Sequence, residues 1–319
     1  MPSPPTKPRK YSYFSDHNWN ACMESFLASR GSVKSKKSYE TTLKALFQDR
    51  TRSPASYTRR EIEAFVSRPT ARGNAVLPNG FNMRLTYIQS FYKYASIYPI
   101  GSSVLMKRIL PTTGIKRRNP AEQLRTFEQD EIVRFFNAIP RQRPTDLRNY
   151  AIFLTLFLTA RRESEIRLLR WCDISREGAI IYYKWTGKNM YGSYKKAELP
   201  IEAYEAIESY LRVDDRLGFM RPEDYIFKAQ GQLQNKPACW SAIGTPMKSY
   251  LSAAGIRAGS MHWLRHTSAY FRSLDGAELH ELMLLLGHKS PATTLIYLEA
   301  WKRPKRDQRA SRLAQMVLK

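Results

Sequence analysis

The sequence predicts a mainly α-helical protein with one small β-hairpin or sheet, divided into two domains. Apolar residues recur at helical spacing through most of the chain, which favours helices over strands. A stretch with Pro, Gly and a basic triplet but no periodic pattern, residues 110–120, interrupts this repeat and is typical of a connection between domains. A length of 319 residues suits one large or two modest domains.

The first part of the chain reads as a small helical unit. Its predicted helices cover residues 15–30, 35–47, 58–66 and 81–98. The third of them begins with Thr58 and Glu61 at the spacing of a capping box. Along the fourth, Phe81, Leu85 and Ile88 recur on one face, so that face should be buried.

The second part is also mostly helical. Helices are predicted over residues 127–138, 147–159, 162–171, 203–212, 246–254 and 279–286, and from Ser260 and Pro291 onward. The segment 147–159 is apolar on nearly all sides and should lie centrally. Residues 179–185 are rich in strand formers, and residues 195–201 are the expected returning strand of a hairpin.

The balance of charges points to a polyanionic partner. The chain has 52 Lys and Arg against 28 Asp and Glu, a formal net charge of +24. Nucleic acid is the commonest partner of so basic a protein. No run approaches the roughly 20 apolar residues of a membrane span, and no signal-peptide pattern opens the chain, so we expect no membrane association. We expect a cytoplasmic protein that is nucleoid-associated when bound to DNA.

Metal and disulfide chemistry are not expected. The three cysteines, Cys22, Cys172 and Cys239, are far apart and show no metal-ligand spacing. Asp and Glu do not cluster as a two-metal nuclease would require. We therefore predict no metal and no cofactor.

The residues that are most suggestive of a catalytic site lie near the C-terminus. His262 and Arg265 are three positions apart on one predicted helix, so they share a face. His288 follows Gly287, and Tyr297 comes nine residues later. Arg162 and Glu165 repeat the i, i+3 spacing earlier in the chain. Two arginines can fork onto the oxygens of one phosphate, and a tyrosine can attack phosphorus if its proton is removed.

These segments resemble the tyrosine recombinase (phage integrase) family in order and spacing. The resemblance rests on Thr159-Ala-Arg-Arg162-x-x-Glu165, Leu169-Arg-Trp-Cys-Asp173, His262-x-Leu-Arg265-His266-Thr, Leu286-Gly-His288 and Tyr297, and it spans about residues 15–300. It implies a helical core-binding domain and a catalytic domain that clamp duplex DNA, with homo-oligomers on that DNA: a tetramer in synapsis and a monomer or weak dimer when free. It also implies strand transfer without metal or ATP.

The resemblance implies a role for each matching residue. Tyr297 would be the nucleophile, and Arg162 and Arg265 would bind the scissile phosphate. His262 would be an acid/base residue, His288 a hydrogen-bond donor to the phosphate and Glu165 a supporting carboxylate.

The family's catalytic lysine lies in the hairpin. Lys188 is the better match, Lys184 is the rival four residues earlier, and both could instead be ordinary hairpin lysines. The family usually has Gly at the position of Ala160, which we interpret as the start of a helix, where Ala is mild.

These observations together predict five segments along the chain. Residues 1–12 form a disordered basic arm, 13–110 a helical DNA-binding domain, 111–124 a linker, 125–300 the catalytic domain, and 301–319 a tail that docks on a neighbouring protomer or folds back in cis. DNA contacts are expected from basic residues of the first domain and linker, namely Lys34, Lys36, Lys37, Arg84, Lys93, Lys116, Arg117 and Arg118.

The expected function is site-specific recombination through a 3′-phosphotyrosyl intermediate, serving integration, excision, transposition or dimer resolution. Two alternatives stay open: a type IB topoisomerase-like strand passage, and a DNA-binding protein without catalysis. The first shares the chemistry but needs no second DNA site, and the second would not need the full set of catalytic residues.

Overall fold

The computed structural model describes residues 13–71, 73–106, 110–119, 125–186, 194–229, 235–288 and 290–300, with side chains in the last range up to Leu295. The chain divides into two compact units, Met1–Glu122 and Gln123–Lys319. The predicted arm, the hairpin turn with Lys188, and the predicted tail lie outside the described residues.

The first unit is built from helices that begin where the sequence offers caps. Its helices are α1 (His17–Ala28), α2 (Val33–Leu46), α3 (Arg59–Ser67) and α4 (Pro78–Ala95). The predicted capping box is present, since the Thr58 hydroxyl accepts from the backbone N–H of Glu61 and the Glu61 carboxylate accepts from that of Thr58. Helix α4 is followed by two short paired strands, β1 (Pro99–Ile100) and β2 (Ser103–Val104). These strands are not predicted from the sequence.

The core of this unit is aromatic, and part of the predicted linker belongs to it. Phe26 and Phe91 are fully buried with ring centroids 5.5 Å apart. Ile115, within the predicted linker, is buried in the same cluster. Asn82 on α4 holds the backbone of Arg118 at both its N–H and its carbonyl group, at 2.9 and 2.6 Å. Linker residues as far as Arg118 therefore contact this unit.

The second unit holds the remaining elements. These are α5 (Gln129–Asn137), α6 (Pro144–Thr159), α7 (Glu163–Arg167), β3 (Ile174–Glu177), β4 (Ile180–Trp185), β5 (Lys195–Glu198), α8 (Ile201–Val213), α9 (Trp240–Ala253), α10 (Met261–Leu274), α11 (Leu279–Leu286) and α12 (Pro291–Ala300). As predicted, α6 is central: it packs against α8 and α10, and Ala151, Ile152 and Leu156 are fully buried.

The sheet of this unit is antiparallel, in the order β3, β4, β5. The predicted hairpin is the β4–β5 pair, in which Tyr183 lies opposite Ala197. Strand β3 is an addition to the prediction. Side chains along β4 alternate, with Tyr183 and Trp185 buried on one face and Lys184 on the other, as the two-residue period of a strand requires.

Three local predictions are wrong. The predicted helix 162–171 is only α7, because its Arg162 stands before it as the N-cap and a short 3-10 helix at Trp171–Asp173 replaces its end. Helix α5 begins after Glu128 rather than at residue 127, since the carboxylate of Glu131 reaches back to the Glu128 N–H. Helix α9 starts well before Pro246 and includes it.

None of the helices in the described ranges is both long and apolar enough for a membrane crossing.

Candidate functional site

Arg162 and Glu165 form a tight local pair at the start of α7. The Glu165 carboxylate accepts from the Arg162 backbone N–H at 3.0 Å and from its Nη1 at 2.8 Å. The Glu165 side chain is 3% exposed, whereas that of Arg162 is 33% exposed. The buried carboxylate thus fixes the guanidinium by two hydrogen bonds and leaves part of it accessible to an anion.

Ala160 is the left-handed C-cap of α6, with φ +50° and ψ +27°, and not the start of a helix as expected. A non-glycine residue in this region costs about 1–2 kcal/mol. The fully buried methyl group packs with Ala269 and Leu286, which offsets part of that cost. In this conformation the Ala160 carbonyl accepts a hydrogen bond from Arg265. The left-handed backbone at residue 160 therefore helps to hold that arginine.

Arg265 is buried and bridges the ends of two helices. Its Nη1 donates to the Ala160 carbonyl at 2.6 Å, and its Nη2 donates to the Leu286 carbonyl at 2.5 Å. These are carbonyls at the C-terminal ends of α6 and α11, which have no partner within their own helices and carry partial negative charge. Arg265 is 3% exposed, and these two hydrogen bonds hold its guanidinium in place.

Replacing Arg265 by Lys should lower the free energy of unfolding by about 1–3 kcal/mol, because the ammonium loses the fork that reaches both carbonyls and leaves one buried acceptor unpaired. Denaturant unfolding of the purified variant would measure this. Arg212→Lys, an exposed position on α8, is the matched control and should be unchanged. Equal losses in the two variants would contradict the bridging role.

His288 follows the turn that ends α11. Gly287 adopts φ +59°, and the backbone N–H of His288 donates to the Met283 carbonyl at 3.0 Å. The ring then lies between two partners: Nε2 is 3.4 Å from Nη2 of Arg265, and Nδ1 is 2.9 Å from the hydroxyl of Thr294. Burial, and then Arg265 and Arg162, lower the pKa of His288 to about 4.

His262 lies in the first turn of α10. Burial lowers its pKa below the usual value, with further contributions from Arg265 and Arg162, while Glu163 opposes the shift. The rings of His262 and His266 stack with centroids 6.2 Å apart. Burial is also the largest reason for the lowered pKa of His266, about 4. Arg265 lies 3.4 Å from His288 and shares α10 with His262, and Arg162 acts electrostatically on both histidines, so the four side chains share one locality.

These histidines should make the protein less stable as the pH falls from 6.5 towards 4. The folded-state pKa values of His262, His266 and His288 are lowered, so the unfolded chain binds more protons in this window and stability rises with pH. Guanidinium unfolding at pH 7.5 and 5.5 would measure it. A His288→Gln variant should show a smaller difference, and a parent protein equally stable at both pH values would contradict the expectation.

The three remaining predicted residues are placed less completely. Tyr297 lies on α12 by its backbone, while its side chain lies outside the described residues, as does all of Lys188. Lys184 lies on the face of β4 opposite Tyr183 and Trp185, with its Nζ 5.1 Å from the centroid of Tyr194.

Two residues of this locality are not among those that the sequence predicts. Arg161 is 4% exposed, donates from Nε to the Tyr183 hydroxyl at 2.9 Å and lies 3.6 Å over the Trp185 ring, so it joins β4 to the loop that bears Arg162. Thr294 is fully buried and contacts His288. The sequence signal for Thr294 is weak: a hydroxyl one turn before Tyr297 in a mostly apolar helix.

The predicted DNA-contact residues of the first unit fall into two groups. Exposed lysines stand on α2 and α4, namely Lys34, Lys36, Lys37 and Lys93, and Lys116 is exposed in the segment after them. The arginines also make protein contacts. Arg84 donates to the Arg68 carbonyl at the end of α3 at 2.6 Å, Arg117 donates to Thr86, and Arg118 lies over the Phe81 ring.

Comparisons with known proteins agree on one family. The model described as the phage integrase family matches residues 125–303. The tyrosine recombinase XerC of Lactobacillus leichmannii is 26% identical over 247 residues, covering 75% of this chain and 77% of that protein. The tyrosine recombinase XerD of Ralstonia nicotianae is 28% identical over 232 residues, covering 71% of each.

Solved structures show the same fold. The XerH site-specific recombinase in its post-cleavage complex with a palindromic difH substrate superposes with a TM-score of 0.68 at 16% identity, covering 97% of this chain and 91% of that one. A lambda integrase dimer bound to a COC′ core site gives 0.66 at 17% identity, covering 92% and 98%. With a family model that matches more than half of its length, the chain belongs to the phage integrase family of tyrosine recombinases.

Proposed function

We propose that this chain cleaves and rejoins duplex DNA at specific sites, with Tyr297 as the nucleophile of a 3′-phosphotyrosyl intermediate. The observation that carries the proposal is the grouping of Arg162, Arg265, His262 and His288 in the unit that the family model matches. Two fixed guanidiniums provide the charge that a phosphodiester needs. Two imidazoles kept neutral by burial and by those cations can accept or donate a proton at neutral pH.

In the first step the Tyr297 oxygen attacks phosphorus, and the bond from phosphorus to the 5′ oxygen breaks. His262 takes the phenolic proton, and Lys188 gives a proton to the departing 5′ oxygen. Arg162 and Arg265 stabilise the charge that grows on the non-bridging oxygens, and His288 donates a hydrogen bond to one of them. Glu165 keeps Arg162 in place. In the second step a 5′ hydroxyl attacks the phosphotyrosine and reverses the sequence. One phosphodiester replaces another, so ATP is not consumed.

Tyrosine is a weak nucleophile as long as its hydroxyl keeps the proton, since its ordinary pKa is about 10. A neutral His262 is a suitable acceptor because its pKa is lowered rather than raised, which keeps its lone pair available at neutral pH. The nearby guanidiniums also favour the phenolate electrostatically.

The partner is double-stranded DNA, and the active assembly is a homo-oligomer on it. The net charge of +24 and the exposed lysines of the first unit supply the phosphate contacts. Structural neighbours include a lambda integrase dimer on a core site and a lambda integrase tetramer on a Holliday junction. By this likeness we expect a tetramer when two sites are joined, acting in the cytoplasm at the nucleoid.

Trapping the covalent intermediate tests the proposal. The protein is incubated with DNA from the flanks of its own gene, carrying nicks at successive positions, so that the short strand with the free 5′ hydroxyl is lost after cleavage. We expect a denaturant-resistant protein–DNA adduct in the presence of EDTA, at a defined position. Absence of an adduct throughout the flanking DNA would contradict the proposal. Relaxation of supercoiled DNA without joining of two sites would instead favour the topoisomerase-like alternative.

A further inference from the structure

The contact between His288 and Thr294 has no part in the reaction steps proposed above. The Thr294 hydroxyl is 2.9 Å from Nδ1 of His288, and the residue is fully buried. Thr294 belongs to α12, whereas His288 follows α11, so this hydrogen bond joins the histidine to the helix that carries position 297.

The other ring nitrogen of His288, Nε2, would have to accept a hydrogen bond from Arg265 and to donate one to a phosphate. Nε2 lies 3.4 Å from Nη2 of Arg265, and a guanidinium only donates, so Nε2 must accept in that contact. Towards a phosphate oxygen, which only accepts, Nε2 must carry the proton. A neutral imidazole has one N–H, so the two contacts need opposite tautomers of His288.

A hydroxyl on Nδ1 is compatible with both tautomers. When the proton is on Nδ1, the Thr294 oxygen accepts it. When the proton is on Nε2, the hydroxyl turns and donates to the bare Nδ1, and no heavy atom has to move. A carboxylate in this place could only accept, and would hold the proton on Nδ1. The pKa of His288, lowered to about 4, is consistent with a ring that stays neutral while its tautomer changes.

We propose that Thr294 is a positioning residue for the strand-transfer reaction, holding the His288 ring beside Arg265 and supporting the Nε2–H tautomer when a phosphate is bound. This inference rests on the proposed function. Since residues 294 and 297 are one turn apart on α12, the placement of that helix sets both the histidine's partner and the backbone of the nucleophile.

The test compares three variants on a nicked trapping substrate. Thr294→Val keeps the shape and removes the hydroxyl, Thr294→Ser keeps the hydroxyl, and Thr293→Val changes an exposed neighbour on the same helix. With saturating enzyme, we expect Thr294→Val to form the adduct roughly 10- to 100-fold more slowly, the range seen when a metal-bound histidine loses the partner that orients it. Its DNA affinity should be unchanged, and the other two variants should react like the parent protein.

A spectroscopic measurement separates this role from simple packing. The protein has five histidines, so selective ¹⁵N-histidine labelling gives a readable spectrum, and His288→Gln assigns the His288 signals. In Tyr297→Phe protein bound to DNA, we expect His288 to carry its proton on Nε2. With Thr294→Val added, the Nδ1 signal should shift, because the bare nitrogen loses the hydroxyl that donates to it in this tautomer.

Two results would overturn the inference while leaving the proposed function intact: parent-like cleavage by Thr294→Val, or equal slowing of Thr294→Val and Thr294→Ser. A parent protein that forms no adduct would remove the proposed function, and this inference with it.

Discussion

Replacing Tyr297 by Phe is expected to abolish the covalent protein–DNA adduct while leaving DNA affinity within about twofold of the parent protein. Phenylalanine has the same ring without the oxygen that forms the bond to phosphorus, so the loss should be complete rather than partial. Binding should persist, because we expect it to rest on arginines, lysines and backbone groups that the substitution does not touch.

The measurement has two readouts on the same nicked DNA. A denaturing gel reports the adduct, and a native gel titration reports the affinity. Tyr194→Phe is the matched control, since it removes one hydroxyl from a tyrosine that is 63% exposed and has no proposed role. That variant should form adducts as the parent does. Adducts that persist in Tyr297→Phe would show that another residue is the nucleophile.

The elements that carry the site follow from local sequence rules, and these rules worked best near the C-terminus. Gly287 ends α11 with φ +59°, and Pro291 starts α12, as their residue types predict. Because both signals depend on backbone conformation at single residues, no knowledge of the tertiary fold is needed to place His288 between two helices.

The predicted helix that includes Arg162 is wrong at its start, yet Arg162 and Glu165 do form a pair. The three-residue spacing to Glu165 suggests two side chains on one helix face, but Arg162 precedes α7 as its N-cap. The ion pair forms all the same, with a 2.8 Å bond, because a carboxylate at the third helical position reaches back to the cap. A spacing of three residues therefore fits both a pair on one helix face and a pair between an N-cap and the third helical position. The spacing alone cannot distinguish the two.

Contacts between distant segments are where sequence reasoning falls short. The burial of Arg265 against the carbonyls of Ala160 and Leu286 depends on how α6, α10 and α11 pack. Nothing in the sequence around Arg265 indicates that its donors are used by helix ends. The contact of Thr294 with His288 is equally a product of packing, since a threonine within a helix usually bonds to its own preceding turn.

The proposed role of Lys188 as the general acid can be tested by substitution and by a change in the leaving group. Lys188→Ala should slow cleavage by roughly 10²- to 10⁴-fold, the usual contribution of a general acid. Without a proton donor the 5′ oxygen must leave as an alkoxide, which is a poor leaving group. Lys184→Ala should have a small effect, because Lys184 lies on the face of β4 opposite the Tyr183 and Trp185 side chains that contact Arg161.

Replacing the bridging 5′ oxygen of the scissile phosphate by sulfur distinguishes a general acid from a residue that only binds DNA. A thiolate leaves without protonation, since thiols ionise near pH 8.5. On this substrate the Lys188→Ala variant should cleave nearly as fast as the parent protein, whereas variants of Arg162 should remain slow because their defect is charge stabilisation on the other oxygens. If sulfur rescues Lys184→Ala instead, the lysine on β4 is the acid. If it rescues neither variant, the proton comes from another group, and Lys188 is one of the ordinary hairpin lysines.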